Sequence, residues 1–164
     1  MYIFLKTFIF LFLILMAKAD DKKEYIVTGS DTTKTKSFNL ENKSKFSSFT
    51  VSGSWTDNFG NYGFNKCMGT INKSLNNVAL NFMCEREDKN GYKIWTISKR
   101  NSETKTSGVG TFEIVDATIP KKELFIGKKC TYAVKYLKET NFYKSKCKIS
   151  EELSKVFEQM AISE

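Results

Sequence analysis

Four cysteines, Cys67, Cys84, Cys130 and Cys147, constrain what this 164-residue chain can fold into. They form two pairs with the same spacing of seventeen positions. Four cysteines allow three disulfide connectivities. The equal spacing favours Cys67–Cys84 and Cys130–Cys147, because each pair then brackets one β-hairpin. In the first hairpin, CMGTIN runs into Lys73-Ser74-Leu75-Asn76-Asn77 and returns as VALNFMC. Side chains alternate between the two faces of a strand. Setting Cys67 opposite Cys84 therefore sets Gly69 opposite Phe82 and Ile71 opposite Leu80 on one face, with Met68 opposite Met83 on the other. In the second hairpin, CTYAVKYL turns at 138–141 and returns as FYKSKC. Its cysteine face collects Tyr132, Val134, Tyr136 and Tyr143. The opposite face collects Thr131, Lys135, Lys144 and Lys146, an inside and an outside. With no CxxC motif and no histidine in the chain, the cysteines read as staples, and no metal site is predicted.

Strand signals continue on both sides of these hairpins. KFSSFTVSGSW, beginning at Lys45, puts Phe49, Val51 and Trp55 on one face. Thr56 to Asn61 has turn chemistry. Asp88-Lys89-Asn90-Gly91 is a hairpin turn carrying the Asn-Gly signal. YKIWTISK (92–99) and GVGTFEIVD (108–116) alternate, Pro120 marks a connection, and 123–127 reads as a short strand or turn. Upstream, Glu24 to Leu40 reads as one strand, a turn at Gly29-Ser30-Asp31, and a second short strand. The expectation is an all-β, antiparallel barrel of about eight strands. A sandwich is the alternative, and closure is preferred because it removes every sheet edge. The period changes at the end of the chain. Ser150 is an N-cap, Glu151 and Glu152 occupy the first turn, and Leu153, Val156, Phe157, Met160 and Ala161 recur at helical spacing. These predict a short C-terminal α-helix packed on the barrel as a lid.

The first residues carry a different signal. In MYIFLKTFIFLFLILMAKA, Lys6 precedes an apolar run from Thr7 to Ala17, and Ala17-Lys18-Ala19 is a small-x-small cleavage pattern. The run is shorter than the roughly 20 residues of a membrane span. The predicted organisation is a signal peptide at 1–19, an N-terminal extension, partly strand, at 20–44, a β-barrel domain at 45–149 and the helix at 150–162. Export to a periplasm or to the medium follows, with no stable membrane insertion after cleavage. The exported part keeps 24 basic and 18 acidic residues, a net charge of +6. The lysines are dispersed, unlike the concentrated patch of a nucleic-acid binder, so no nucleic-acid partner is expected.

Two resemblances bear on the fold. Gly53-Ser54-Trp55 resembles the GxW signature of the calycins (lipocalins and avidins), and GSWTDNFGN is similar to the opening strand and turn of avidins. That resemblance implies a barrel with Trp55 closing one end under a basic residue, and small apolar ligands inside. The later lipocalin motifs and the further avidin tryptophans do not occur, so biotin binding does not carry over. GVGTFEIVDATIPKKELFIGKKCTYAVKY is similar to the glycine-punctuated repeats of allene-oxide-cyclase-like and dirigent-like barrels, through Gly108, Gly110, Phe112, Phe125, Gly127 and Tyr132. Both imply a small eight-stranded barrel.

The absence of histidine removes Ser-His-Asp and Cys-His nucleophile systems and HExxH metalloprotease sites. No phosphate-cradling loop and no calcium loop is visible, and no cofactor is predicted. Glu85-Arg86-Glu87-Asp88 reads as a solvated hairpin end. Glu113 reads as exterior, because Phe112 and Ile114 want the core. The first functional expectation is a non-enzymatic barrel binding a small apolar molecule, with Trp55, Tyr132 and Tyr136 as lining residues and no catalytic residue. The alternatives are an envelope structural or interaction module, and a cyclase- or isomerase-like enzyme using a buried Glu and tyrosine hydroxyls. The sequence leaves the oligomeric state open.

Overall fold

The computed structural model describes residues 23–41, 43–74, 77–102 and 107–163. The expected signal peptide lies outside the described residues. Eight antiparallel strands run in chain order around a closed barrel. They are β1 (Lys23–Asn39), β2 (Lys45–Asp57), β3 (Tyr62–Lys73), β4 (Val78–Asp88), β5 (Lys93–Ser102), β6 (Ser107–Ala117), β7 (Lys129–Leu137) and β8 (Thr140–Ile149). A 3-10 turn, Lys122–Leu124, interrupts the β6–β7 connection where a short strand or turn was expected. The helix α1 (Glu151–Ile162) ends the described chain.

Both disulfides pair as the spacing predicts, Cys67 with Cys84 and Cys130 with Cys147. The register of the first hairpin follows from its staple, with Gly69 beside Phe82, Ile71 beside Leu80 and Met68 beside Met83. All four cysteines point inward and are buried.

The N-terminal stretch departs from expectation. No turn forms at Gly29-Ser30-Asp31; β1 runs unbroken through it. Nor is this stretch an extension outside the barrel. β1 pairs with β2 on one edge and with β8 on the other, and so closes the sheet. The barrel therefore includes Lys23–Asn39 and does not start at Lys45. β2 pairs with Val27–Asn39 and β8 with Lys23–Thr32, and this backbone pairing, not apolar alternation, holds the polar segment as a strand.

One end of the barrel is plugged. Ser150 caps α1 by accepting from the Leu153 N–H at 3.3 Å, and the buried face Leu153, Val156, Phe157 and Met160 closes over the strand ends. Tyr25 stacks on Phe157 with ring centroids 4.3 Å apart, and Phe125 meets both rings edge-on. Two hairpin turns hold the helix by the same device. Asp57 accepts from the Phe59 and Asn61 N–H groups, each at 2.9 Å, and the Asn61 amide donates to the Phe157 carbonyl at 3.0 Å. Asp88 accepts from the Asn90 and Tyr92 N–H groups, and the Asn90 amide donates to the Met160 carbonyl at 2.9 Å. In each turn the glycine, Gly60 or Gly91, takes the positive φ that other residues resist.

Candidate functional site

Above the plug the barrel is hollow. The lumen encloses a cavity of about 640 Å³ that opens at the end away from α1. The interior of an eight-stranded barrel is wide enough either to be filled by side chains or to hold one small ligand. Here small inward residues keep it open. Ser47, Thr96, Ser98 and Ser145 stand where larger apolar groups would fill the tube. Inward glycines make room for neighbouring side chains to lie flat along the wall. A Cβ on Gly110 would meet the Tyr132 ring at 2.6 Å, and one on Gly108 would meet the Arg100 guanidinium at 2.3 Å.

The wall is mixed. Phe49, Leu80, Phe82, Phe112 and Val134 form an apolar belt, with the Cys67–Cys84 cystine beside it. Five cationic side chains line the cavity, Lys45, Lys73, Arg86, Arg100 and Lys138, against two anionic ones, Asp31 and Glu139. Lys45 and Lys73 are cross-strand partners on β2 and β3.

Two groups of polar side chains are buried in this wall with atoms left unpartnered. On β1 and β3, Asn65 donates its amide to Asp31 Oδ2 at 3.2 Å and to Cys67 Sγ at 3.5 Å. Asp31 Oδ1 and Asn65 Oδ1 have no partner, although the two residues are each only 4% exposed. Burial pushes the Asp31 carboxyl up to about 6, against the opposing effects of the Asn65 hydrogen bond and the nearby Arg86 charge. On β5 and β7, Arg100 is 6% exposed, and its Nε and Nη1 have no partner. Its guanidinium lies over the Tyr136 ring, 5.8 Å from the centroid. The Tyr132 hydroxyl is also unpartnered. Burial pushes that phenol up to about 12, partly offset by Arg100. The Tyr143 hydroxyl is unpartnered as well, and burial pushes it to about 12. Unmade hydrogen bonds of this kind cost about 1–3 kcal/mol each, more for charged groups.

Glu85-Arg86-Glu87-Asp88 is not the solvated hairpin end expected, because alternation turns Arg86 and Asp88 inward, where both are buried. Arg86 lies deeper, with its guanidinium 5.6 Å from the centroid of Phe112, and it also lines a void of about 10 Å³ beside Trp55 and Tyr25.

Of the three side chains expected to line a ligand site, Tyr132 and Tyr136 face the cavity. Trp55 does not. It is 4% exposed in the floor, and its indole N–H donates to the Phe64 carbonyl at 3.0 Å. Trp95 points outward and donates to Glu85 at 2.9 Å, and Glu113 is exposed. Asp31, Asn65 and Arg100 escape the sequence reading. In β5 apolar residues occupy both phases, Ile94 on one and Trp95 with Ile97 on the other, so alternation does not say which side faces in. The glycines at 108 and 110, on the strand beside Arg100, are the signal that something large lies over them.

Among the described residues, no group of three or more side chains is arranged to hold a metal ion. No helix among them is long and apolar enough to cross a membrane. Comparison with protein-family models, curated proteins and solved structures finds no match.

Proposed function

We propose that this chain is an exported, disulfide-stapled barrel that binds a small, largely apolar molecule in its open end and catalyses no reaction. The cavity of about 640 Å³ carries this reading. It lies within the range of small-molecule sites, which are apolar clefts with a few placed polar groups. Two disulfides fit an oxidising compartment. Cleavage after Ala19 and delivery to the periplasm or the medium belong to the same proposal. So does a calycin-like kinship, which the burial of Trp55 at the closed end supports.

Native mass spectrometry of protein purified without denaturation is the first test, with an added small-molecule mass as the expected result. Titration with the neutral dye N-phenyl-1-naphthylamine is the second, with saturable fluorescence enhancement expected. Met68 is 68% exposed on the outer face, so Met68→Lys leaves a lumenal dye site unchanged. Loss of dye binding in that variant, with no co-purifying ligand, would overturn the reading.

Two other readings each have one observation in their favour. Met68, Met83 and Ile97 are successive cross-strand partners on β3, β4 and β5 and are all exposed. That apolar row favours an interaction module. Asp31, buried near Tyr143 with its carboxyl held near 6, has the protonation behaviour of a general acid–base group and favours a cyclase- or isomerase-like enzyme.

A further inference from the structure

The two unpartnered polar groups stand on opposite sides of the lumen. In a closed sheet of eight strands, β1 is diametrically opposite β5, and β3 is opposite β7. Asp31 on β1 and Arg100 on β5 therefore lie on opposed strands, as do Asn65 on β3 and Tyr132 on β7, and all four line the cavity. The free atoms on the first wall, Asp31 Oδ1 and Asn65 Oδ1, are acceptors. The free nitrogens of Arg100 are donors, and the Tyr132 hydroxyl can donate. The opposite charges do not meet. No ion pair joins Asp31 and Arg100, and each faces the cavity from its own wall.

A buried charge with unmade hydrogen bonds is costly, and barrels can avoid the cost by placing apolar residues inside. This barrel keeps a carboxylate and a guanidinium, with an apolar belt of Phe82, Phe112 and Leu80 beside them. The Gly108 and Gly110 positions give Arg100 and Tyr132 the room they occupy.

We infer that the molecule bound here is a small organic anion with an amine or other hydrogen-bond donor at its far end and an apolar body between. Arg100 and Tyr132 hold the anionic group, Asp31 and Asn65 hold the donor, and the aromatic belt covers the body. This inference rests on the small-ligand reading above and adds the polarity and orientation of the ligand. The excess of cationic side chains around the lumen favours an anionic group at one end of the ligand.

Three probes with one biphenyl frame test it. These are biphenyl-4-carboxylate, 4-(aminomethyl)biphenyl and 4′-(aminomethyl)biphenyl-4-carboxylate, each read by displacement of bound N-phenyl-1-naphthylamine. The bifunctional probe is expected to bind at least tenfold more tightly than either single-ended one. Arg100→Gln should collapse its advantage over the amine-only probe. Asp31→Asn should collapse its advantage over the carboxylate-only probe. If Arg100→Gln fails to fold, as judged by its thermal midpoint, Tyr132→Phe gives the same comparison with at least a threefold loss expected. Dye displacement with equal affinities for all three probes would overturn the inference and leave the small-ligand reading standing. So would an advantage that survives both variants. If the dye never enters the wild-type lumen, the small-ligand reading falls and this inference with it.

Discussion

Between about pH 4 and pH 6 the folded chain holds a proton on Asp31 that the unfolded chain has already released, because burial raises that carboxyl to about 6. Stability from this group is therefore highest below the unfolded value and falls as pH rises through the window. The carboxylate borders an open cavity, so the cost above pH 6 is discounted to about 1–2 kcal/mol. Asp31→Asn is expected to stabilise the fold by about that amount at pH 7 and by little at pH 3.5. Urea titrations at the two pH values measure the difference. A gain of equal size at both would show that ionisation is not its source. Gly69 tests the wall at the same scale. A Cβ there would lie 2.3 Å from the Asn81 carbonyl oxygen and 2.4 Å from Phe82 Cβ. The carbonyl oxygen, and Phe82 Cα at 2.8 Å, are backbone atoms of the paired strand, which cannot rotate away. Gly69→Ala should cost about 1–3 kcal/mol, seen as a lower thermal midpoint.

At the scale of elements, α1 closes the lumen by side-chain packing. Phe157 is 1% exposed and touches Tyr25, Phe59 and Phe125. Phe157→Ala is expected to cost about 3–5 kcal/mol and to shift Trp55 emission to the red as water reaches the floor. Ser150→Ala removes only the cap and should cost about 1 kcal/mol. This helix was legible in the sequence, since the cap, the acids and the 3.6-residue period agree. β3, β4, β7 and β8 were legible for another reason, since a cystine between facing strands fixes the register at one point and alternation does the rest. β1 was not. TGSDTTKTKSFN offers no apolar alternation, and its strand state comes from backbone pairing, with β2 along its whole length and, as far as Thr32, with β8 more than a hundred positions away. The polar half of the cavity was hidden for a related reason. Sequence patterns assume that inward means apolar, whereas a hollow barrel puts Asp31, Asn65 and Arg100 inside.

For the whole molecule, closure joins the first strand to the last. Lys23 pairs with Ile149 and Tyr25 with Cys147, contacts among the most distant in sequence. Folding dominated by such pairings runs on the millisecond-to-second scale, and stopped-flow refolding should show it. The cystines do not span this closure. Each lies inside one hairpin, at a sequence separation of 17. Replacing Cys67 and Cys84 together by serine should cost about 3 kcal/mol while leaving the remaining cystine and the strand order intact. Denaturant unfolding under oxidising conditions measures it.

That locality also governs how the molecule yields to a pull. A load applied at the two ends of the strand meander bears on the β1–β8 ladder, which carries no covalent bond between its strands. The tube can therefore be unrolled along this seam with both cystines intact. Each cystine withholds the short loop between its own cysteines, about 60 Å of extended chain. A single-molecule trace should lengthen by about twice that when a reductant is added, in two equal steps. The staples leave the cylinder free to open while preserving, in each stapled hairpin, a piece of wall already in register from which it can roll closed again.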